Sequence, residues 1–457
     1  MKAWLSNIFF RVIGISFFSL VLSVANAQTP TITSFTPTLG AISATVTITG
    51  QNFNATAANN IVFFGGTRAI VQAGSTATSL IVRVPYGANY NYISVTNLAT
   101  RLTAYSFKPF VVTYSSTGLS DFGGRSIIPV SSNTTASAVY VGDLDRDGNL
   151  DVVVPDPDSG TLMIYENITS GGSLSLTLIA TLNVGSGTSP QWAVGGDLDS
   201  DGYLDIVSSS YNSNVLSVFL NKTATAGSLS LSLFSNSLST GNNPSGLAIR
   251  DLNNDGKPDI VVTNYNSSTV SVFQNTYAGG ILNFNAKVDF STNSNPRSVA
   301  IGDLDANGLP DLLVTNVGGN VITVLRNTSA IGGTINFTAG SNLSTLANPQ
   351  SLVIGDLDLD NKLDVAFVQS GGNVVSIYRN TSVSGTISFG SRIDLPASTT
   401  PFSIAIGDMN GDGKPDLSVA NNGAGTASVF RNNSVSGSIT FSVRVDYTTA
   451  SNPSSIA

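Results

Sequence analysis

A pattern that returns at a fixed spacing of 52–54 residues restricts a chain to architectures of equivalent, adjoining units. Here six acidic nine-residue loops set that spacing, starting at Asp143, Asp197, Asp251, Asp303, Asp356 and Asp408. Side-chain oxygens fill loop positions 1, 3, 5 and 9. In loop 1 they belong to Asp143, Asp145, Asp147 and Asp151, and in loop 2 to Asp197, Asp199, Asp201 and Asp205. Loop 3 offers Asp251, Asn253, Asp255 and Asp259; loop 4 offers Asp303, Asp305, Asn307 and Asp311. Loop 5 has Asp356, Asp358, Asp360 and Asp364, and loop 6 has Asp408, Asn410, Asp412 and Asp416. Position 6 is Gly in five loops and Asn361 in the fifth, the residue types that best tolerate a left-handed turn. Position 7 varies (Asn149, Tyr203, Lys257, Leu309, Lys362 and Lys414), as expected where only a backbone carbonyl acts as ligand.

Of the 28 acidic residues, 21 fall in these loops. Carboxylates so crowded raise one another's pKa or force a loop open, and a bound dication removes the conflict. The all-oxygen set points to Ca²⁺, at up to six sites. An EF-hand begins in a similar way but requires Glu at position 12 and flanking helices. Position 12 here is Val154, Ser208, Val262, Val314, Phe367 and Val419, and the flanks read as strands. Turn chemistry alone also falls short, because it does not demand Asp at position 9 six times.

Lys2 and Arg11, the apolar run Val12 to Val24, and Ala25-Asn26-Ala27 read as a secretory signal over residues 1–27. The run is too short for a comfortable membrane span, and no later stretch offers one. Removing the signal leaves 18 basic against 28 acidic residues, a net charge of −10, which argues against a nucleic-acid partner. The chain has no Cys and no His. Thiol nucleophiles, imidazole bases and the usual zinc ligation are thereby excluded.

Residues 28–112 read as short alternating strands broken by Gly and Asn turns, as a small sandwich requires. Pro30, Phe35, Pro37 and Gly40, then Gly50, Asn52 and Phe53, then Phe64, Gly65 and Gly66 carry a resemblance to the IPT/TIG family of immunoglobulin-like domains. Phe35, Phe53, Phe63 and Phe64 read as its core. A short linker is expected over 113–120.

From 121 to 457 each repeat holds four strand-like segments, the signature of a propeller blade that needs neighbours to cover both faces. With the D-x-[DN]-x-[DN]-G-x-x-D loops, this region resembles FG-GAP/VCBS repeats, the blades of integrin α-subunit heads. That resemblance implies Ca²⁺ in the loops. The expected fold is all-β, an Ig-like sandwich followed by a propeller of four-stranded blades. Asp121 to Ile128 resembles an unaccompanied fourth strand, and Asn452 to Ala457 resembles a first strand. A seven-bladed ring with a truncated last blade is therefore expected.

The function expected is that of a secreted or cell-surface calcium-binding scaffold. It would be non-catalytic, with the IPT/TIG domain as spacer and a protein or glycan as partner. The alternative is part of a secreted polysaccharide lyase or glycosidase. Such an enzyme needs paired carboxylates, yet Asp289, Asp394 and Asp446 occupy equivalent repeat positions and no constellation stands out. Trp192, five residues before Asp197, is expected to report on loop 2. Sequons such as Asn327-Thr-Ser and Asn380-Thr-Ser read as chance products of a Ser/Thr/Asn-rich chain.

Overall fold

The computed structural model describes residues 28–114, 138–169, 174–185, 187–234 and 238–457. Within them every regular element is a strand apart from one 3-10 turn at Ala57–Asn59. The segment 121–128, expected to supply an outer strand, lies outside the described residues, as do the proposed signal and most of the expected linker.

The N-terminal domain is a two-sheet sandwich. One sheet is Thr31–Thr36, Thr45–Gln51 and Ser79–Arg83. The other orders Leu39–Ala41, Leu102–Thr113, Asn91–Asn97, Asn60–Phe64 and Thr67–Ala69, with the first pair parallel. Alternation drives the packing: Val46, Ile48, Leu80 and Val82 face Phe64, Ile93, Val95 and Phe110. The rings of Phe64 and Phe110 meet edge to face at 5.1 Å. Phe35, Phe53 and Phe64 belong to this core. Phe63 is buried too, but on the opposite face of its strand.

Six four-stranded sheets follow, one per loop, and the region is a β-propeller. We number the blades as their loops. Blade 5 shows the plan with an inner strand Pro349–Gly355, then Asp364–Gln369, Val374–Asn380 and an outer Phe389–Pro396, all antiparallel. In blades 2 and 4 the outer strand is split in two. Each acidic loop joins the inner strand to the second strand, which is buried throughout in blades 2 to 6. Successive blades stack apolar faces, for example Ala366, Val368 and Ile377 of blade 5 against Ile404, Leu417 and Val419 of blade 6. The large apolar clusters lie between blades, which is why one repeat cannot fold alone.

The Ig-like domain is seated directly on the loop side of the propeller, which corrects the expectation of a spacer. Ile61 and Phe63 pack with Leu144, Leu204 and Ile206 of blades 1 and 2. Arg101 donates to the Ser200 carbonyl (2.8 Å), the Thr103 amide to the Gly256 carbonyl (2.7 Å), and the Asp143 amide to the Gly66 carbonyl (2.9 Å). Arg250 ends the inner strand of blade 3. Its guanidinium lies 3.6 Å from the Tyr92 ring centre and bonds the Ser106 carbonyl at 3.1 Å. Blades 4 and 5 carry Gly302 and Gly355 at the matching position. A Cβ on either would come within 2.8 Å of a tyrosine hydroxyl, of Tyr92 or Tyr90, so the close seat requires glycine there.

Candidate metal centre

The loops owe their shape to local bonds between carboxylates and backbone. In loops 2 to 6 a position-1 oxygen accepts the amide of position 6, as in Gly256 to Asp251 (2.8 Å) and Asn361 to Asp356 (3.0 Å). Position 5 accepts the amide of position 7, as in Asn149 to Asp147 (2.7 Å), Tyr203 to Asp201 (3.0 Å) and Leu309 to Asn307 (2.7 Å). Lys257, Lys362 and Lys414 make the same amide bond to Asp255, Asp360 and Asp412. The ammonium groups of Lys362 and Lys414 turn away to the Ser382 and Ser434 carbonyls, so these side chains take no place among the loop oxygens. Position 6 is left-handed as expected. Position 4 is left-handed as well, at Arg146, Ser200, Asn254, Ala306, Leu359 and Gly411. A side chain held there costs about 1–2 kcal/mol relative to right-handed backbone. Only Asn254 and Gly411 are of a residue type that hints at it.

Position 9 has a second task. In every loop its two oxygens each accept a backbone amide. Asp364, for instance, takes the amides of Leu357 (3.0 Å) and Asn380 (2.8 Å). The equivalent donors to Asp151, Asp205, Asp259, Asp311 and Asp416 include Asn167, Asn221, Asn275, Asn327 and Asn432. These asparagines stand sixteen residues after position 9. In blades 2 to 6 their side-chain amides clamp neighbouring blades together. Asn380 Nδ2 donates to the Leu363 carbonyl of its own loop (3.0 Å) and to Leu304 of the preceding loop (2.9 Å). Asn221, Asn275, Asn327 and Asn432 repeat this bridge at 2.7–2.9 Å. The sequons at Asn327 and Asn380 are therefore not chance. They are buried structural groups, and their exact recurrence was the available signal.

Carboxylates of three acids converge in four loops: Asp143, Asp145 and Asp151; Asp197, Asp199 and Asp205; Asp303, Asp305 and Asp311; Asp356, Asp358 and Asp360. Within each set the ligand atoms lie within 4.8 Å of one another. Loops 3 and 6, with Asn253 and Asn410 at position 3, lack the position-3 carboxylate that the four converging sets share. Burial is the main cause that pushes these acids up: Asp151, Asp251 and Asp311 to about 7, Asp364 to about 8, and Asp143, Asp356 and Asp416 to about 6. Among the described residues five buried loop oxygens have no hydrogen-bond partner: Asp143 Oδ1, Asp145 Oδ2, Asp199 Oδ1, Asp305 Oδ1 and Asp356 Oδ1. Orphaned, desolvated acceptors amid converging acids match the chemistry of a hard cation, and these triads can hold one.

The loops differ in what surrounds them. Lys222 reaches Asp199 at 2.6 Å, and Arg326 reaches Asp305 at 2.6 Å. Arg379 grips Asp358 (2.5 Å) and Asp360 (2.6 Å), while Arg431 stands 3.4 Å from Asp412. Among the described residues loops 1 and 3 have no such cation. In loop 1 Glu166 occupies the corresponding place, where burial and the nearby Asp145 charge raise its pKa.

Trp192 packs in the same apolar cluster as Leu198 of loop 2 but stands apart from the acidic groups. It lies toward the other end of the inner strand Pro190–Gly196, because Pro190 pairs with Ser210 while Gly196 pairs with Asp205 beside the loop.

An Ig-like sandwich seated on blades with acidic inner loops defines a repeat-built propeller with candidate metal sites. The descriptions "IPT/TIG domain" and "FG-GAP-like repeat" match this chain, the first over 30–114, the second over 197–262, 251–314, 303–367 and 356–419. The chain thus carries an N-terminal IPT/TIG domain and FG-GAP-like repeats. No curated protein matches it. Similar solved structures include a candidate 6-phosphogluconolactonase from Bacteroides fragilis, with 13% identity, TM-score 0.50, and coverage of 88% of this chain and 98% of that one. Virginiamycin B lyase from Staphylococcus aureus has 13% identity and TM-score 0.42, covering 69% and 84%. An auxiliary nutrient binding protein from Bacteroides thetaiotaomicron has 14% identity and TM-score 0.37, covering 86% and 95%. At such identities the likeness concerns the fold alone.

Proposed function

We propose that this chain is a secreted or cell-surface, non-catalytic binding scaffold whose propeller is stiffened by Ca²⁺ in its acidic loops. The five orphaned carboxylate oxygens carry the reading, since buried acceptors without donors call for a cation. The position-1, -3, -5 and -9 oxygens would hold the ion, with the position-7 carbonyl. Position 9 would tie the ion to the blade clamp through the amides it already accepts. The three acids at equivalent fourth-strand positions are engaged in local structure, which supports a non-catalytic role. Asp289, Asp394 and Asp446 each accept a serine hydroxyl (Ser271, Ser376 and Ser428) and pair with Lys287, Arg392 and Arg444. Among the described residues no helix is long and apolar enough to cross a membrane.

Extracellular modules bind Ca²⁺ with dissociation constants of roughly 10⁻⁴–10⁻³ M. At about millimolar Ca²⁺ each occupied site then adds on the order of 0.4–1.4 kcal/mol. The test is the melting temperature in millimolar Ca²⁺ and in excess EGTA. A fall of several degrees in EGTA is expected, and equal melting in both would refute a structural ion. Release of product from polysaccharides incubated with the protein would replace the scaffold reading with the enzymatic one.

A further inference from the structure

The propeller end opposite the loops holds a compact cleft of about 220 Å³, lined by Gln191, Trp192, Tyr211, Ser245, Tyr265 and Arg297. The strand register places all of these at one end of the ring. Pro190 pairs with Ser210, Pro244 with Asn264 and Pro296 with Asn316, and the lining residues adjoin those pairs. The volume lies below the roughly 300–1,000 Å³ of drug-sized pockets, which leaves room for one ring-sized ligand.

Arg297 is the unusual member. Its guanidinium stacks 4.3 Å from the Phe402 ring centre of blade 6, and neighbouring protein lowers its pKa by desolvation. Among the described residues it has neither a carboxylate partner nor a hydrogen-bond acceptor. A guanidinium so placed carries a fork of donors ready for a carboxylate. Stacking on Phe402 holds the plane while leaving its edge available. Around it stand Trp192, Tyr211 and Tyr265, the two tyrosine rings 6.4 Å apart and inclined at 53°. Such walls suit the apolar C–H faces of a sugar ring, and their polar tips, with Gln191, suit its hydroxyls. The acidic loops, with most of the chain's carboxylates, are at the far end of the ring.

We propose that this cleft binds a uronic acid residue, a pyranose ring bearing a carboxylate, with Arg297 on the carboxylate and the aromatic side chains on the ring. This rests on the scaffold reading and gives it a ligand class. Trp192 is the only tryptophan beyond the signal-like segment, so its fluorescence reads the cleft directly.

The experiment titrates the full chain, in Ca²⁺, with trigalacturonate, galactotriose, acetate and an aspartate-containing tripeptide, by Trp192 fluorescence and calorimetry. Saturable binding of trigalacturonate at least tenfold tighter than each of the others is expected. Arg297→Met should weaken it at least tenfold and Arg297→Lys by less, with calcium-dependent melting retained in both. No saturable response to trigalacturonate, or full binding by Arg297→Met, would overturn the proposal. Galactotriose or acetate binding as tightly would overturn the carboxylate or the ring requirement, and an equal tripeptide would reassign the cleft to acidic peptides. If melting still depends on Ca²⁺ while trigalacturonate fails, the site alone falls. Loss of that dependence in the unmodified chain strikes the scaffold reading instead.

Discussion

Truncating one clamp residue, Asn380→Ala, tests how the blades are held. The side chain is fully buried and serves three backbone groups. Its Nδ2 satisfies the Leu304 carbonyl at 2.9 Å and the Leu363 carbonyl at 3.0 Å, and its Oδ1 accepts the Ser382 amide at 2.8 Å. The substitution leaves all three without partners between two blades. Each orphaned buried group costs about 1–3 kcal/mol. Some water entry into the vacated space offsets part of this, and a net loss of about 3–6 kcal/mol is expected. That is a large share of the ~5–15 kcal/mol that holds an ordinary domain. Urea unfolding at fixed Ca²⁺ measures it. Thr381→Ala is the control: it keeps the same sequon and removes only an exposed hydroxyl contact to Ser388 (3.0 Å), so a change within about 0.5 kcal/mol is expected. A loss below about 1 kcal/mol for Asn380→Ala, or equal losses for the two variants, would refute the clamp.

Three other predictions concern the loops. Arg379→Leu frees Asp358 and Asp360 from a competing cation, and Ca²⁺ affinity at loop 5 should rise roughly threefold or more, within the range of a partly exposed ion pair; calorimetry showing unchanged or weaker binding would count against this. In EGTA, acids such as Asp151, Asp311 and Asp364, raised to about 7–8, bind more protons folded than unfolded between about pH 4 and 8. Stability of the ion-free chain should therefore climb as pH falls from 8 toward 5, and a melting temperature that drops over that window would contradict the burial argument. Leu359→Gly relieves a left-handed side chain (φ 60°). The relief of about 1–2 kcal/mol exceeds the glycine entropy cost of roughly 0.5–1 kcal/mol, so a gain of about 0.5–1 kcal/mol should appear as a higher urea midpoint.

What could be read from the sequence was whatever repeats. The loops, the four strands per blade and the sandwich core all follow from residue type at fixed spacing, because each blade meets the same environment. The Asn clamp repeats just as strictly, but Asn-x-Ser/Thr already had a familiar surface meaning that concealed a buried one. Other features occur once and leave no period to detect. Arg250 under Tyr92, Gly302 beneath the same tyrosine, and Arg297 reaching Phe402 depend on which blade meets which across the ring. The left-handed position 4 stayed hidden for another reason. Local carboxylate bonds hold it against the preference of Ala306 and Leu359, so conformation there does not follow residue type.

The clamp also has a polarity. Every bridging asparagine reaches back to the loop before its own and never forward. Removing the last blade takes its asparagine with it and leaves earlier bridges whole, whereas removing the first strands Asn221 without the Leu144 carbonyl. The ring is thus a polymer with a growing end. A chain emerging N-terminus first would offer each new blade a carbonyl already made for its asparagine.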